Sequence, residues 1–289
     1  MMSRRRSGPW KLLAISVAVC WTLLPIYWLF RLSLLTPADI SSFPPPILPA
    51  HPHPGNFLNI LGFDYTLVSG RVLHASGQSR QIILGLKNSL IVATTTMLLT
   101  LAVVVPLAYV FGRMEFRFKN ALFMSVLFAV AIPPVSTLIP FYTLFVALGL
   151  SGTRTGLVLI TLTLTIPFVT WMLIGYFRNL PPVEKLAAID GFSRLQTLLY
   201  IIIPMARSGI AVAAVISFLF SWNDFVFATT LVNGSDATTL PSAASAFLFQ
   251  QPEPGHMAAS VILSLIPAAL VVLFLQRHIT EMNLVDPVR

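Results

Sequence analysis

The chain has 289 residues, of which 56% are hydrophobic and only 10% are charged, whereas about 25% of an ordinary soluble domain is charged. Lys and Arg together number 18 and Asp and Glu number 10, which gives a formal net charge of +8 at pH 7. The basic residues lie between long apolar segments instead of along one face, so the composition excludes a soluble nucleic-acid-binding domain and leaves a polytopic membrane protein.

Six apolar stretches are long enough to cross a bilayer as helices. A hydrocarbon core about 30 Å thick is crossed by about 20 helical residues, and these stretches do not show the alternating pattern of a β-barrel. The predicted helices cover residues 11–33, 82–112, 121–147, 156–177, 208–232 and 258–277. The sequence therefore predicts an all-α fold, with a six-helix transmembrane domain at 11–277 between an N-terminal segment at 1–10 and a tail at 278–289.

Two of these stretches need closer interpretation. The third is too long for one span, and Ile132-Pro133-Pro134 and Pro140 are predicted to break it and to leave a shorter helix near the outer surface. The first follows Ser3-Arg4-Arg5-Arg6 and could be a signal peptide. Its apolar stretch is longer than a usual signal and no A-x-A site follows it, so we expect the helix to be retained.

The distribution of basic residues predicts the orientation. With the N-terminus inside, 13 of the 18 Lys and Arg residues fall on the cytoplasmic side and five on the other, as the positive-inside rule requires. Both termini are then cytoplasmic in a bacterial or archaeal cell membrane, residues 36–80 form an outer loop, and residues 178–207 form a cytoplasmic loop.

Few residues of the chain suggest a metal or redox site. His51 and His53 in the outer loop could bind a metal, but their proline neighbours and the lack of nearby ligands favour an exposed turn. Cys20 is the only cysteine and lies in an apolar stretch, so it predicts neither an intramolecular disulfide nor a metal site. We therefore expect no metal and no cofactor in this chain.

The cytoplasmic loop 178–207 is predicted to form two short helices joined by a turn. Pro181-Pro182 ends the preceding helix and can open the next, and Glu184 then lies in the first turn, where a negative charge is favourable. Asp190-Gly191 is predicted to be the turn because glycine allows a positive φ. Either Asp190 or Ser193 can cap the second helix.

The second helix of the loop is predicted to be amphipathic and to end at Pro204. Its apolar residues should lie on the membrane or on neighbouring helices; they are Leu195, Leu198, Leu199 and Ile202. The small residues Ala187 and Ala188 near the tip would let another backbone approach, and a projecting helix in a partner's groove is a common recognition mode. The alternative is a plain connecting loop with incidental alanines.

The spacing of this loop resembles the signature loop of ABC-importer permeases, whose pattern is E-A-A, three residues, G, nine residues, I, any residue, L, P. Gly191, Ile201, Ile203 and Pro204 fall in register with it. Asp190 before the glycine is similar to the carbohydrate (maltose-type) branch. Further similarity to that branch extends over most of the chain, in the segments 109–120, 132–133, 148–150, 155–157, 221–225, 239–241 and 276–277.

Two departures from the pattern concern the contact with the ATPase. The glutamate position of the pattern is Lys185 and its first alanine position is Leu186. If the family's glutamate pairs with a basic group of the ATPase, Lys185 cannot replace it. The partner surface must then differ, or Glu184, one place upstream, serves instead.

The resemblance implies a transmembrane permease subunit of an ATP-driven importer for a carbohydrate or a sugar-like solute. The implied partners are a second permease subunit, two ATP-binding subunits that hold ATP and magnesium, and an extracytoplasmic solute-binding protein, with no nucleic acid. The loop 184–204 would couple the permease to the ATPase through Glu184, Lys185, Leu186, Ala187, Ala188, Asp190, Gly191 and Pro204. The tail 278–289 is a secondary candidate for an ATPase contact.

A polar group inside the fifth span suggests a position near the solute path. Asp224 is the only acidic residue in a predicted span, where a charge costs roughly 2.5–3.5 kcal/mol and should face a cavity or a partner. With Trp222 and Asn223 it offers the aromatic, amide and carboxylate groups that bind sugars. The alternative is an interfacial Trp222 beside an Asp224 that caps a helix break.

Other functions are less compatible with the sequence. The chain lacks G-x-x-x-x-G-K-[ST] and H-E-x-x-H, and no catalytic residue is predicted. An ion-coupled secondary transporter of small polar solutes is the main alternative, but it would need intramembrane carboxylates or paired broken repeats. A structural or channel subunit is the third possibility, and neither alternative requires the spacing from Asp190 to Pro204.

Overall fold

Helices account for nearly all regular structure in the computed structural model, which describes residues 9–49 and 51–280. In chain order the helices are α1 (Pro9–Ser33), α2 (Pro37–Ile40), α3 (Gly55–Ile60), α4 (Ser79–Arg113), α5 (Lys119–Ala131), α6 (Leu138–Ala147), α7 (Arg154–Arg178), α8 (Glu184–Ile189), α9 (Arg194–Gln196), α10 (Ile203–Met205), α11 (Arg207–Trp222), α12 (Val226–Leu231), α13 (Leu240–Ala244), α14 (Ala246–Phe249) and α15 (Pro254–Thr280). A 3₁₀ turn covers Pro134–Thr137, a π-helical segment covers Thr197–Ile202, and a small antiparallel hairpin pairs β1 (Tyr65–Thr66) with β2 (Val72–Leu73).

The prediction of an all-α, membrane-spanning chain is confirmed. Within the described residues, α1, α4, α7 and α15 are each long and apolar enough to cross a membrane. Two further candidates are bent pairs: α5 with the segment Pro134–Ala147, bent by 90°, and Arg194–Met205 with α11, bent by 81°. The count reaches six if each bent pair is one span.

The two interrupted spans differ from the sequence prediction in detail. The third breaks at Ile132-Pro133, as predicted, but Pro140 does not break it, because this proline lies in the first turn of α6, where no helical N–H is lost. The fifth span, predicted to run through 208–232, is not one helix. It ends at Trp222 and resumes at Val226.

The chain divides into two compact units, the first made of the residues up to Ile83 with Ala244–Leu265. In this unit Asn56 donates hydrogen bonds to the carbonyl oxygens of Ser33 and Leu35, at 3.0 and 3.1 Å.

The prediction that His51 and His53 lie in an exposed turn is wrong for His53, which is 4% exposed and stacks on Tyr65. Its burial lowers the pKa of its imidazole. The described residues contain no group of three potential metal ligands.

The second unit, made of Leu84–Ala243 and the residues from Ile266 on, contains the core that supports the loop 178–207. Side chains of α4, α7, α11 and the π-helical segment share one buried apolar cluster. Thr100 of α4 and Thr165 of α7 are hydrogen-bonded at 2.9 Å. Thr161 and Thr163 donate to carbonyl oxygens of their own helix, ahead of Pro167.

Candidate coupling site

A short helix lies in the middle of the loop 178–207, where the sequence predicts one. The chain leaves α7 at Asn179 and passes through Pro181-Pro182, and α8 begins with Glu184 as its first helical residue. Proline cannot continue the preceding helix, and a carboxylate at the start of a helix is favourable. The local sequence therefore sets both the end of α7 and the start of α8.

The end of α8 is a Schellman motif centred on Gly191. This residue has φ +84°, its N–H donates to the carbonyl of Ala188 at 3.2 Å, and the N–H of Phe192 donates to the carbonyl of Ala187 at 2.9 Å. Both bonds satisfy carbonyls that a helix end leaves unpaired. The predicted positive φ at Gly191 is confirmed, and the conformation requires glycine or, at some cost, asparagine.

Ser193, and not Asp190, caps the helical segment that follows. The Ser193 hydroxyl accepts a hydrogen bond from the N–H of Gln196, and the Gln196 side chain accepts one from the N–H of Ser193, which makes a capping box. The segment then runs through the π-helical residues to Pro204 in α10, before the 81° bend into α11.

The predicted apolar stripe of this segment has two environments. Leu198 and Ile202 are buried in the cluster with α4 and α7, whereas Leu195 and Leu199 are exposed. The segment therefore packs on the core through Leu198 and Ile202, while Leu195 and Leu199 are available to a partner or to lipid.

Helix α8 has a buried side and an exposed side. Ala187 is 2% exposed, while Leu186 and Ile189 are 64% and 81% exposed. Lys185 is also exposed and lies on the same side as the two large apolar residues. Leu186 and Ile189 thus form a small apolar surface next to charged residues, which we call the α8 face.

Glu184 lies on the buried side and is bound within the chain. Arg113, the last residue of α4, donates from Nε to Glu184 Oε1 at 2.6 Å and from Nη2 to Oε2 at 2.8 Å. This bidentate pair holds the pKa of the Glu184 carboxyl below its usual value, against the opposing effect of partial burial. The geometry therefore does not support Glu184 as a substitute contact for the ATPase.

The predicted polar group of the fifth span lies at the break between α11 and α12. Trp222 is 2% exposed and stacks on Phe218, so its ring is not available in this conformation. Asn223 is exposed and donates to the carbonyl of Leu219. Asp224 Oδ1 accepts from the N–H of Phe227 at 3.3 Å, while its buried Oδ2 has no hydrogen-bond partner among the described residues.

Arg113 is the residue of this site that sequence reasoning missed. The sequence shows only a basic residue at the end of the second predicted span, and basic residues are common at the ends of spans. Its partner Glu184 lies 71 positions later, and no local pattern indicates a pairing over that distance.

The tail 278–289 was the second predicted contact with the ATPase. The side chains from Arg277 onward lie outside the described residues.

Comparison with known proteins gives one family match and several relatives along the chain. Residues 104–281 match the family described as binding-protein-dependent transport system inner membrane component. The trehalose transport system permease protein SugB of Mycobacterium tuberculosis is 31% identical over 283 residues, which cover 96% of each chain. The sulfoquinovosyl glycerol transport system permease protein SmoH of Agrobacterium fabrum is 27% identical over 94% of this chain and 91% of that protein.

A solved structure supports the fold. A chain in the crystal structure of a bacterial ABC transporter involved in the import of the acidic polysaccharide alginate superposes with a TM-score of 0.74. The match covers 96% of this chain and 98% of the other at 19% sequence identity. At that identity the comparison shows a shared fold and leaves the solute open.

Proposed function

The chain belongs to the family of binding-protein-dependent transport system inner membrane components, and from this premise we propose that it is a permease subunit of a sugar importer driven by separate ATPase subunits. The family and the relatives are transport components, not enzymes. ATP and magnesium would be bound by the ATPase subunits. The proposed task of this chain is to open and close a path across the membrane when those subunits change state.

The α8 face is the observation that carries the coupling proposal. Two large apolar side chains are exposed on a helix that also carries Lys185 and Asp190, which identifies the surroundings as aqueous. Apolar side chains exposed to water beside charged ones mark contact sites for other proteins. We propose that Leu186 and Ile189 enter a groove of an ATPase subunit, with Lys185, Ala188, Asp190 and Gly191 around them and Pro204 ending the segment.

A second permease subunit is proposed to cover α1. In the described part of the chain, none of the most apolar 18-residue window of this helix is buried. Trp10 and Trp21 are both 79% exposed. Helices in membranes gain stability from packing against other helices, so α1 is available to a second permease as well as to lipid.

The solute is proposed to be a sugar or a sugar-like molecule. The named solutes of the two relatives are trehalose and sulfoquinovosyl glycerol, and the structural neighbour imports alginate. Asn223 and Asp224 offer an amide and a carboxylate at the break in the fifth span, and these groups can bind sugar hydroxyls. Trp222 would contribute only if it left its stack on Phe218.

We expect cysteine labelling to place the α8 face in the cytoplasm. In a Cys20→Ser background expressed without the ATPase, Ile189→Cys should react with a membrane-impermeant maleimide only after the inside of the cell is opened, because thirteen of the basic residues lie on that side under the proposed orientation. Val68→Cys, in the fully exposed turn of the outer hairpin, is the matched control and should react in intact cells. The reverse pattern would refute the orientation.

Purification in mild detergent tests the proposal as a whole. An ATPase and a second permease should accompany this chain, and uptake of radiolabelled trehalose into proteoliposomes should require both together with ATP and the solute-binding protein. Purified chain that moved trehalose alone on an ion gradient would instead establish the secondary transporter. Nothing in the family match or the relatives supports that alternative.

A further inference from the structure

All five N–H groups of one guanidinium are used at the cytoplasmic end of α4. Besides the two bonds to Glu184, Arg113 donates from Nη1 to the carbonyl oxygens of Leu180 at 2.8 Å and Phe177 at 3.4 Å, and from Nη2 to that of Pro181 at 2.8 Å. Arginine has five donors in a rigid planar fork. Each of the five N–H groups therefore has one acceptor within the chain, and the Arg113 side chain is only 9% exposed.

These acceptors belong to three successive parts of the chain. Phe177 is in the last turn of α7, Leu180 and Pro181 form the turn that follows, and Glu184 begins α8. The α7 carbonyls are the negative end of a helix, which a guanidinium stabilises. Only the bonds to Glu184 reach α8.

Close packing keeps α4 and α7 together at the same level. A Cβ built on Gly112 would lie 3.1 Å from Cβ of Phe177, so the two backbones approach more closely than side chains normally allow. Tyr109 and Phe177 share the buried apolar cluster. The ends of α4 and α7 therefore form one firm base, and α8 is joined to it by the carboxylate of Glu184 and by its N-cap residue Val183, which packs against the same cluster.

We propose that Arg113 and Glu184 are positioning residues that make α8 move as one body with the ends of α4 and α7. The inference rests on the proposed function, because it assigns the route by which force on the α8 face reaches the spans. A displacement of α8 can switch the packing of the spans only if the contact between α8 and the ends of α4 and α7 holds during the movement. Without the carboxylate bonds, α8 can tilt on its flanking turns while α4 and α7 stay in place.

The substitution Glu184→Gln isolates this link, because it removes the charge and keeps the size, while three Arg113 bonds to the α7 end remain. Spin labels at Val103→Cys on α4 and Phe192→Cys at the end of α8, in the Cys20→Ser background, report the distance between α4 and α8 in the purified importer. Both positions are exposed, and Phe192, whose N–H is bonded to the carbonyl of Ala187, lies outside the proposed docking set.

We expect the distance to stay constant in the otherwise unchanged chain when Mg²⁺ and a non-hydrolysable ATP analogue are added. In Glu184→Gln it should shift or broaden by about 3 Å or more, within the range of helix shifts in switching proteins. ATP hydrolysis and the amount of bound ATPase should stay near their original levels. The matched control is Glu115→Gln, because Glu115 is 91% exposed and pairs with Lys119 in the same cytoplasmic region.

Three results would oppose the inference, and each has a different meaning. A Glu184→Gln distance that stays as constant as in Glu115→Gln would overturn the positioning role while the proposed function stands. A parallel loss of assembled complex and hydrolysis, repeated in Glu184→Asp, would show a merely structural pair. An unsubstituted chain that carries no ATPase would refute the proposed function, and this inference with it.

Discussion

Replacing Ile189 by glutamate should detach the ATPase from the membrane subunit while leaving the chain folded and inserted. Ile189 is 81% exposed, so the substitution removes almost no contact within the chain. Burial of such a side chain in a partner's groove is worth about 1.5–3 kcal/mol, and a buried unpaired carboxylate adds a further cost. We expect a total loss of about 3 kcal/mol, or more than a hundredfold in affinity.

The measurement is the amount of ATPase that co-purifies with the chain at equal membrane level, followed by titration of the detached subunit. Val68→Glu is the matched control, because Val68 is likewise apolar and exposed but lies in the hairpin of β1 and β2. Val68→Glu should keep the full amount of ATPase. Equal retention in both variants would mean that the α8 face is not the docking surface.

The parts of this site that are local in sequence could be predicted, and the parts that depend on distant packing could not. Pro181-Pro182, Glu184 and Gly191 define the start and end of α8 within eleven residues, because prolines, first-turn carboxylates and positive-φ glycines act on their immediate neighbours. The pairing of Glu184 with Arg113 depends on how α4 packs on α7. The sequence left open whether Glu184 contacts the ATPase in place of Lys185, and the pairing with Arg113 does not support that contact.

The same distinction explains the other differences from the sequence prediction. The sequence left open whether Asp224 lies within one span or caps a helix break, and the structure places it at the break between Trp222 and Val226, where its Oδ1 accepts from the N–H of Phe227. Pro140 looked like a breaker, yet its place in the first turn of α6 makes it harmless. His53 looked exposed among prolines, but long-range contacts bury it.

Replacing Gly191 by valine should reduce ATPase binding about tenfold or more, because the Schellman motif would be lost. No described atom lies within 4 Å of a Cβ built on Gly191, so the expected damage within the chain comes from φ +84° and not from a clash. A β-branched residue is a severe outlier there, whereas Gly191→Asn is tolerated in this conformation. We therefore expect Gly191→Asn to bind the ATPase within about threefold of the original affinity.

Gly149 provides the matched control for this substitution. It has φ +68° and equally open surroundings among the described residues, and it ends α6 with the same motif: its N–H donates to the carbonyl of Val146, and the N–H of Leu150 donates to that of Phe145. Gly149→Val should cost a similar free energy of unfolding, about 1–2 kcal/mol. The two valine variants should therefore melt alike, and only Gly191→Val should lose the ATPase. If both variants keep it, the end of α8 has no part in docking; if both lose it in proportion to their stability, the loss reflects folding and not the coupling loop.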